Sequence, residues 1–430
     1  AQATLARDFA GFQEPPSSPV ARLPPLASAT SAMAFAARAF SRAANLTPVA
    51  AAAALRRLPS APLRGAWPAA APAASPPATA RAFSQSTWEA GDDVDIDSVA
   101  YGFMASQALF AGLELGVFDH IAAAGEAGLG AAAIGKACGV EAPRMQTLLT
   151  ALTAVKCLKR GSDGLYTLSP NTAQYMVTSS RHFYGDYLRL QIGRQFYHRM
   201  GALPDVMTTG KAPSYASWFS DPEVAKTYTD AQHNGSVATA KYLVKKKLQL
   251  GNISSMLDVG GGSGAFSYVF VGATPGLRST VLELPEVCRT GESIKAKQPE
   301  DVRERVNFVE LDASSPQWPV NETAYDVVLM SYISGSVPES IIGSLYANAM
   351  KALKPGGRLL VHDFMVNDSL DGPALGALWG LQHVTVNADG LGLCPKEIID
   401  RMAAAGFNAS KCESLEMIHG MTKLIVGHKD

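Results

Sequence analysis

From Ile96 onward, apolar residues recur at three- and four-residue steps. In "SVAYGFMASQALFAGLELGVFDHIAAA" that spacing predicts amphipathic helix. The stretches "GLGAAAIGKACGV", "EAPRMQTLLTALTAVKCLKRG" and "LYTLSPNTAQYM" then predict a short helix, a longer helix opening at a proline, and a small β-wing. Together these read as a winged-helix arrangement. Residues 181–235 differ, with Tyr, Phe, His, Gln and Arg crowded into "RHFYGDYLRLQIGRQFYHRM" and "YASWFSDPEVAKTYTDAQHNGS". An aromatic stripe at helical spacing is most often core. This one lies between two domains, where ligand pockets concentrate.

Further on, short apolar runs alternate with helical segments, the pattern of an α/β sheet. "SSMLDVGGGSGAFSYVF" predicts a strand over Met256–Val259, a glycine turn and a helix. Gly260, Gly262 and Gly264 let the backbone turn sharply and approach a ligand, and the helix start behind them offers free N–H groups. Dinucleotide enzymes use a similar turn, so alone it decides little. Three acids narrow it. Asp258 precedes the turn, where a carboxylate can sit against a cationic amino-acid group. Glu283 in "STVLELPEV" ends the next strand, suited to ribose hydroxyls. Asp312 in "VNFVELDAS" ends the third, within reach of an adenine amine. "YDVVLMSYIS" is a fourth strand, and "ALKPGGRLLVHDF" a helix, a Pro-Gly-Gly turn and a fifth strand.

Composition changes the picture at the front. Met33–Trp88 holds no Asp, Glu or Lys, but Arg38, Arg42, Arg56, Arg57, Arg64 and Arg81 stand among Ala, Ser and Pro. That is the composition of an organellar transit segment, and "RAF-SQS" at Arg81–Ser84 is like a mitochondrial processing site. Mitochondrion is the expected address and chloroplast the alternative. A disordered Ala/Pro tail without an address is the plainer possibility. Three segments follow: 1–88 unstructured or transit, 89–240 winged-helix and acceptor-site domain, 241–430 cofactor domain. Residues 1–32 receive no role.

The chain of 430 residues is 47% hydrophobic with a formal charge of −1, so no global field pulls it toward nucleic acid or anionic membrane. No apolar run reaches the length of a spanning helix. The five cysteines are scattered without zinc spacing, and no metal site is expected. A winged helix can bind DNA. The candidate recognition helix, Pro143 to Lys159, carries only Arg144, Lys156 and Lys159 and makes no continuous basic face. A dimer-forming role fits better.

The acids, the glycine turn and the "LKPGG" turn resemble the class I S-adenosylmethionine (SAM) methyltransferases. With the preceding winged helix, "DVGGGSG" and "LELPEV" resemble the small-molecule O-methyltransferase family, the caffeate and acetylserotonin enzymes among them, over residues 95 to 430. The resemblance implies a Rossmann-like α/β domain behind an all-α winged-helix dimerisation domain, a homodimer, and SAM held by Asp258, Gly260, Gly262, Gly264, Glu283, Leu284, Asp312, Ala313 and Ser331.

The family's fourth-strand motif reads like "M-K-W-I-x-H-D-W", where the His takes a phenolic proton. Here Met330 matches, Ser331 replaces the Lys, Tyr332 stands for the Trp, and Gly335 replaces the His. One supporting acid remains as Asp363; the other site falls at Gly392 or a neighbour in "GLGLCPKEI". General-base help to a hydroxyl nucleophile is worth about 10² to 10⁴ in rate, whereas a thioether sulfur has no proton to lose. Within the family the chain resembles the algal S-methyltransferases that act on 4-methylthio-2-hydroxybutyrate in dimethylsulfoniopropionate synthesis. That resemblance rests on "DIDSVAYGFMASQALFAGLELGVFDH", the Tyr-rich segment 184 to 197, "AQHNGS" and "GLQHVTVNADGLGLCP". It implies an acceptor site drawn from Tyr184, Tyr187, Gln191, Arg194 or Arg189, Tyr197, Gln232, His233, Gln382 and His383, with the Arg on the carboxylate. No general base is assigned; Tyr187, His233, Asp363 and His383 are the catalytic candidates. An O-methyltransferase with its base moved to His233 or His383 is one alternative, and a non-catalytic mitochondrial assembly protein is the other.

Overall fold

A computed structural model describes residues 94–248, 250–387, 393–417 and 422–430. The expectations for residues 33–88 and for Gly392 fall outside the described residues. The first periodic stretch forms helices α1 (Ile96–Glu114), α2 (Val117–Ala124), α3 (Ala131–Cys138) and α4 (Ala142–Ala154). Asp95 caps α1 by accepting the Ser98 N–H, and a proline opens α4, where its missing N–H costs nothing. Phe118, Ile121, Ile134, Met145, Leu149, Leu152 and Tyr166 form the core of this unit. The helix expected over Pro143 to Lys159 ends early. Lys156 adopts a φ of 64°, and Leu158–Arg160 becomes strand β1 against β2 (Tyr166–Leu168), because Leu158 gains burial opposite Leu168. Lys156 and Lys159 therefore leave the helix that carries Arg144.

The aromatic segment 184–197 contains α5 (Tyr187–Phe196), wound as a π-helix, a rare form that is frequent at functional sites. Asp221 caps α6 (Pro222–Tyr242) by accepting from the Glu223 and Val224 N–H groups. This helix packs on α5 on one side and on α7 (Ala265–Ala273) on the other. It runs through residue 240, so the expected boundary falls inside an element shared by both halves.

The main sheet has the order β5–β4–β3–β6–β7–β9–β8: β3 (Ser255–Val259), β4 (Arg278–Glu283), β5 (Val306–Glu310), β6 (Tyr325–Ser331), β7 (Leu353–Phe364), β8 (Glu413–Glu416) and β9 (Thr422–His428). The five strands β3 to β7 are parallel, and β9 and β8 add antiparallel at one edge. Val327, Val328, Leu329 and Met330 are all fully buried, the continuous apolar run of a strand covered on both faces. Val328 and Met330 face α8 (Glu339–Ala352), while Val327 and Leu329 share a core with α7.

Two local readings change. "PGG" does not separate helix from strand; it is a bulge within β7, between the Tyr325↔Leu353 and Val327↔Arg358 pairs, with Gly356 at φ 75°. Asp312 lies two residues past β5, in the loop. The chain order reverses between β3 and β6, the switch point where the carboxyl ends of such sheets open a ligand crevice.

Candidate active site

The carboxyl ends of β3, β4 and β6 border a cavity of about 370 Å³. Asp258, Gly260, Gly262, Glu283, Leu284, Asp312, Ala313 and Ser331 all line it; Gly264 does not, and instead caps α7 at φ 77°. Glycine is needed at 260, where φ is 66° and a Cβ would press into Ile333 at 2.7 Å. Glu283 fixes the turn: Oε2 accepts the Gly262 N–H (2.8 Å) and Oε1 that of Leu284 (2.7 Å). Desolvation pushes its carboxyl up to about 7. Asp258, fully buried, accepts from Ser267 Oγ on Oδ2 (2.6 Å), while Oδ1 has no partner. Burial raises its carboxyl to about 6. A buried carboxylate oxygen without a donor is costly, and a cationic ligand group meets that need. These residues fit SAM. Asp258 would hold the amino-acid end, Glu283 the ribose hydroxyls, and Asp312 with Ala313 the adenine.

His233 serves this half. Its Nδ1 pairs with Ser263 Oγ at 2.8 Å, tying α6 to the glycine turn, and burial lowers its pKa. It lines neither cavity. The expectation that His233 faces the acceptor is thus replaced by a role in holding the cofactor loop, since its neighbour Gln232 takes the inward direction.

A second cavity, of about 180 Å³, adjoins the first; Tyr228, Gln232, Ser236, Tyr332 and Ser336 belong to both walls. Tyr184, Tyr187, Phe364, Trp379 and His383 complete its aromatic lining. Tyr184 stacks on Tyr187 at 4.8 Å, and Phe364 on Trp379 at 4.4 Å. Gln232 Nε2 donates to the Tyr228 hydroxyl (2.9 Å). Tyr332 stands at φ 61°, strained backbone that aims its ring between the two spaces. Desolvation lifts the Tyr184 hydroxyl to about 12 and those of Tyr187, Tyr228 and Tyr332 further above the usual phenol range.

Several expected acceptor residues are not brought here. Arg194 is turned outward and pairs with Glu114 through two 2.6 Å bonds; Arg189 pairs with Asp186 and, at 3.4 Å, with Glu114. These ion pairs join α5 to α1, so neither Arg holds a carboxylate in the cavity. Tyr197 packs edge-on against His198 and lines neither space. Gln191 and Gln382 are buried outside the linings; the Gln191 amide has no hydrogen-bond partner, and Gln382 sits against Tyr215 of the first cavity's wall.

Asp363 is fully buried at the end of β7 and belongs to neither lining. Oδ2 accepts the Gly335 N–H (3.2 Å) and Oδ1 the Phe364 N–H (2.9 Å), and desolvation raises the carboxyl to about 7. It supports backbone and orients no imidazole. His383, from α9 (Ala374–Val384), is buried against Gly335, and burial lowers its pKa to about 4.

The sequence alone assigns no individual site role to Tyr228, Ser236, Thr239, Tyr332, Phe364 and Trp379, although Tyr228 falls in the aromatic segment and Tyr332 in the fourth-strand motif. A signal existed for the first three: 228, 232, 235, 236 and 239 follow a helical stripe, and all five line the second cavity.

Comparison with known proteins identifies the family and the fold. Residues 98–178 match the O-methyltransferase dimerisation domain and residues 198–408 the O-methyltransferase domain. The chain is 28% identical over 319 residues to 3-hydroxy-5-methyl-1-naphthoate 3-O-methyltransferase of Streptomyces sahachiroi, covering 72% of this chain and 88% of that enzyme. It is 27% identical over 328 residues to acetylserotonin O-methyltransferase of Homo sapiens, covering 73% and 91%. Its fold matches the crystal structure of human N-acetylserotonin methyltransferase in complex with SAM (TM-score 0.66, 24% identity, 79% of this chain and 99% of that one). It also matches PigF with SAH (TM-score 0.65, 23% identity, 78% and 99%). Two family domains in sequence, with the glycine turn and its acids lining one cavity, leave one conclusion: the chain is a SAM-dependent methyltransferase and belongs to the O-methyltransferase family.

Proposed function

We propose that this enzyme methylates the sulfur of a small thioether hydroxy acid, 4-methylthio-2-hydroxybutyrate, to a sulfonium in dimethylsulfoniopropionate synthesis. One observation carries the reading. The titratable groups lining the second cavity are four tyrosines whose protons are held more tightly than usual and one histidine that resists protonation. None is poised to accept a proton near neutral pH, where a general base works best. A hydroxyl acceptor needs such a base; a thioether sulfur attacks with a lone pair, one C–S bond forms as another breaks, and no proton is released.

Bound SAM supplies the electrophilic methyl. The chain's residues do the rest by alignment and exclusion of water. Tyr228 and Tyr332, on the shared wall, confine the acceptor beside the cofactor space, and their π faces favour the positive charge that arrives on its sulfur. Gln232, Ser236 and Thr239 offer neutral polar contacts to the acceptor's oxygens.

The test is methyl transfer from labelled SAM by the full chain to a panel of thioether hydroxy acids and phenols. Label on the thioethers supports the reading; label on phenols alone overturns it in favour of O-methylation of a small hydroxylated molecule. That second reading has its own support, since the His383 ring lies beside Gly335, where relatives place their base.

A homodimer is proposed as well. It rests on the dimerisation domain and on α1, whose Ile96, Val99, Tyr101, Phe103 and Met104 each expose about half or more of their surface. Mitochondrial import, with the chloroplast as alternative, is proposed from residues 33–88, to be read by locating a fluorescent fusion of that segment.

A further inference from the structure

Gly335 lies in a short turn at Ser334–Ser336 and does not have a positive φ, so its backbone does not call for glycine. What calls for it is space. A Cβ placed on residue 335 would come within 3.0 Å of both Cε1 and Nδ1 of His383, closer than real Cβ atoms approach any atom. The imidazole thus fills the volume that a side chain at 335 would occupy, but reaches it from α9. The ring is 3% exposed and belongs to the wall of the second cavity. Among the described residues its nitrogens have no protein hydrogen-bond partner, and Asp363 is committed to the Gly335 and Phe364 amides.

We infer that Gly335 and His383 are one specificity element, in which the glycine admits the imidazole and the imidazole hydrogen-bonds the α-hydroxyl of the acceptor. This deepens the S-methylation reading and rests on it. A neutral imidazole carries one N–H donor and one lone pair, and a hydroxyl can use either. Without a carboxylate behind it, the ring lacks the support that stabilises an imidazolium, so it positions the acceptor and moves no proton. The same side chain sets the size of the pocket: any residue larger than glycine at 335 expels the ring and loses the contact.

The experiment uses the full-length chain with His383→Ala, His383→Gln, Gly335→Ala and the double variant. Each is assayed on 4-methylthio-2-hydroxybutyrate and on its deoxy analogue 4-methylthiobutyrate, with SAM affinity by calorimetry as the check on folding. His383→Ala is expected to lower the hydroxy-to-deoxy ratio of kcat/KM about tenfold, the worth of one good hydrogen bond, mainly through KM and without changing the shape of the pH–rate profile. His383→Gln should recover part of the ratio. Gly335→Ala should reproduce the His383→Ala selectivity, and adding it to His383→Ala should cost nothing further, since the clash is gone. If Gly335→Ala alone fails to bind SAM, the double variant should restore binding. Additive losses, an unchanged ratio in His383→Ala, or a kcat loss that brings a new pH dependence would each overturn the proposal. Should the enzyme prove to act on phenols, the S-methylation reading fails separately, and the interlock is then decided on the phenol by the same non-additivity.

Discussion

Lowering the pH from 7.5 to 6 should weaken SAM binding about 15-fold. Two carboxyls set that magnitude. Burial pushes Glu283 up to about 7 and Asp258 up to about 6. The ligand needs both ionised: Asp258 Oδ1 is a buried acceptor without a donor, and Glu283 must accept from hydroxyls while holding two backbone amides. Protonation removes one acceptor site and the charge that attracts a cation. If only the ionised forms bind, Kd scales with the inverse of the ionised fraction, giving about eightfold from Glu283 and about twofold from Asp258 across this interval. The sign follows: a cationic ligand favours the ionised carboxyls, so binding below pH 7 releases protons and affinity falls as pH falls. Calorimetry in two buffers of different protonation enthalpy measures both quantities. Glu283→Gln should bind more weakly at every pH and lose the steeper part of the dependence. A Kd constant within twofold from pH 7.5 to 6, or proton uptake on binding, would refute the reasoning.

Other consequences are simpler to check. His233→Ala cuts the Ser263 tether and should weaken SAM binding by about five- to tenfold, one neutral hydrogen bond, while leaving acceptor KM nearly unchanged. Arg194→Ala removes a surface pair with Glu114 and should cost below about 1 kcal/mol of stability with no change in acceptor KM; a large KM rise would restore Arg194 to the substrate site. Phe103→Asp, on the exposed apolar face of α1, should shift the protein to monomer in analytical ultracentrifugation, and an unchanged dimer would move the interface elsewhere.

The cofactor half was legible because its chemistry sits at strand ends, and strand ends are marked by runs such as "MLDV" and "TVLEL" followed by glycine or proline. Asp258 and Glu283 fell where the runs stop. The acceptor half was harder for a reason visible in two dipeptides. Gln232 and His233 are adjacent on α6, and Gln382 and His383 on α9; successive helical residues point about 100° apart, and in each of these two pairs only one member reaches the cavity. The cavity takes Gln232 and His383, and their neighbours go to the glycine turn and to a buried site off the wall. Arg194 was misplaced because composition cannot see Glu114, 80 residues earlier in the chain. Gly335 was legible as a loss and not as a gain, since the ring that fills its space comes from α9, nearly 50 positions later.

The most direct measurement is the number of protons released per methyl transferred, followed in weakly buffered solution with the full-length enzyme, SAM and 4-methylthio-2-hydroxybutyrate. Sulfur methylation should give a sulfonium product with no proton released at any pH between 6.5 and 8.5. One proton per turnover, with label on an oxygen and a rate that climbs as the acceptor ionises, would contradict it.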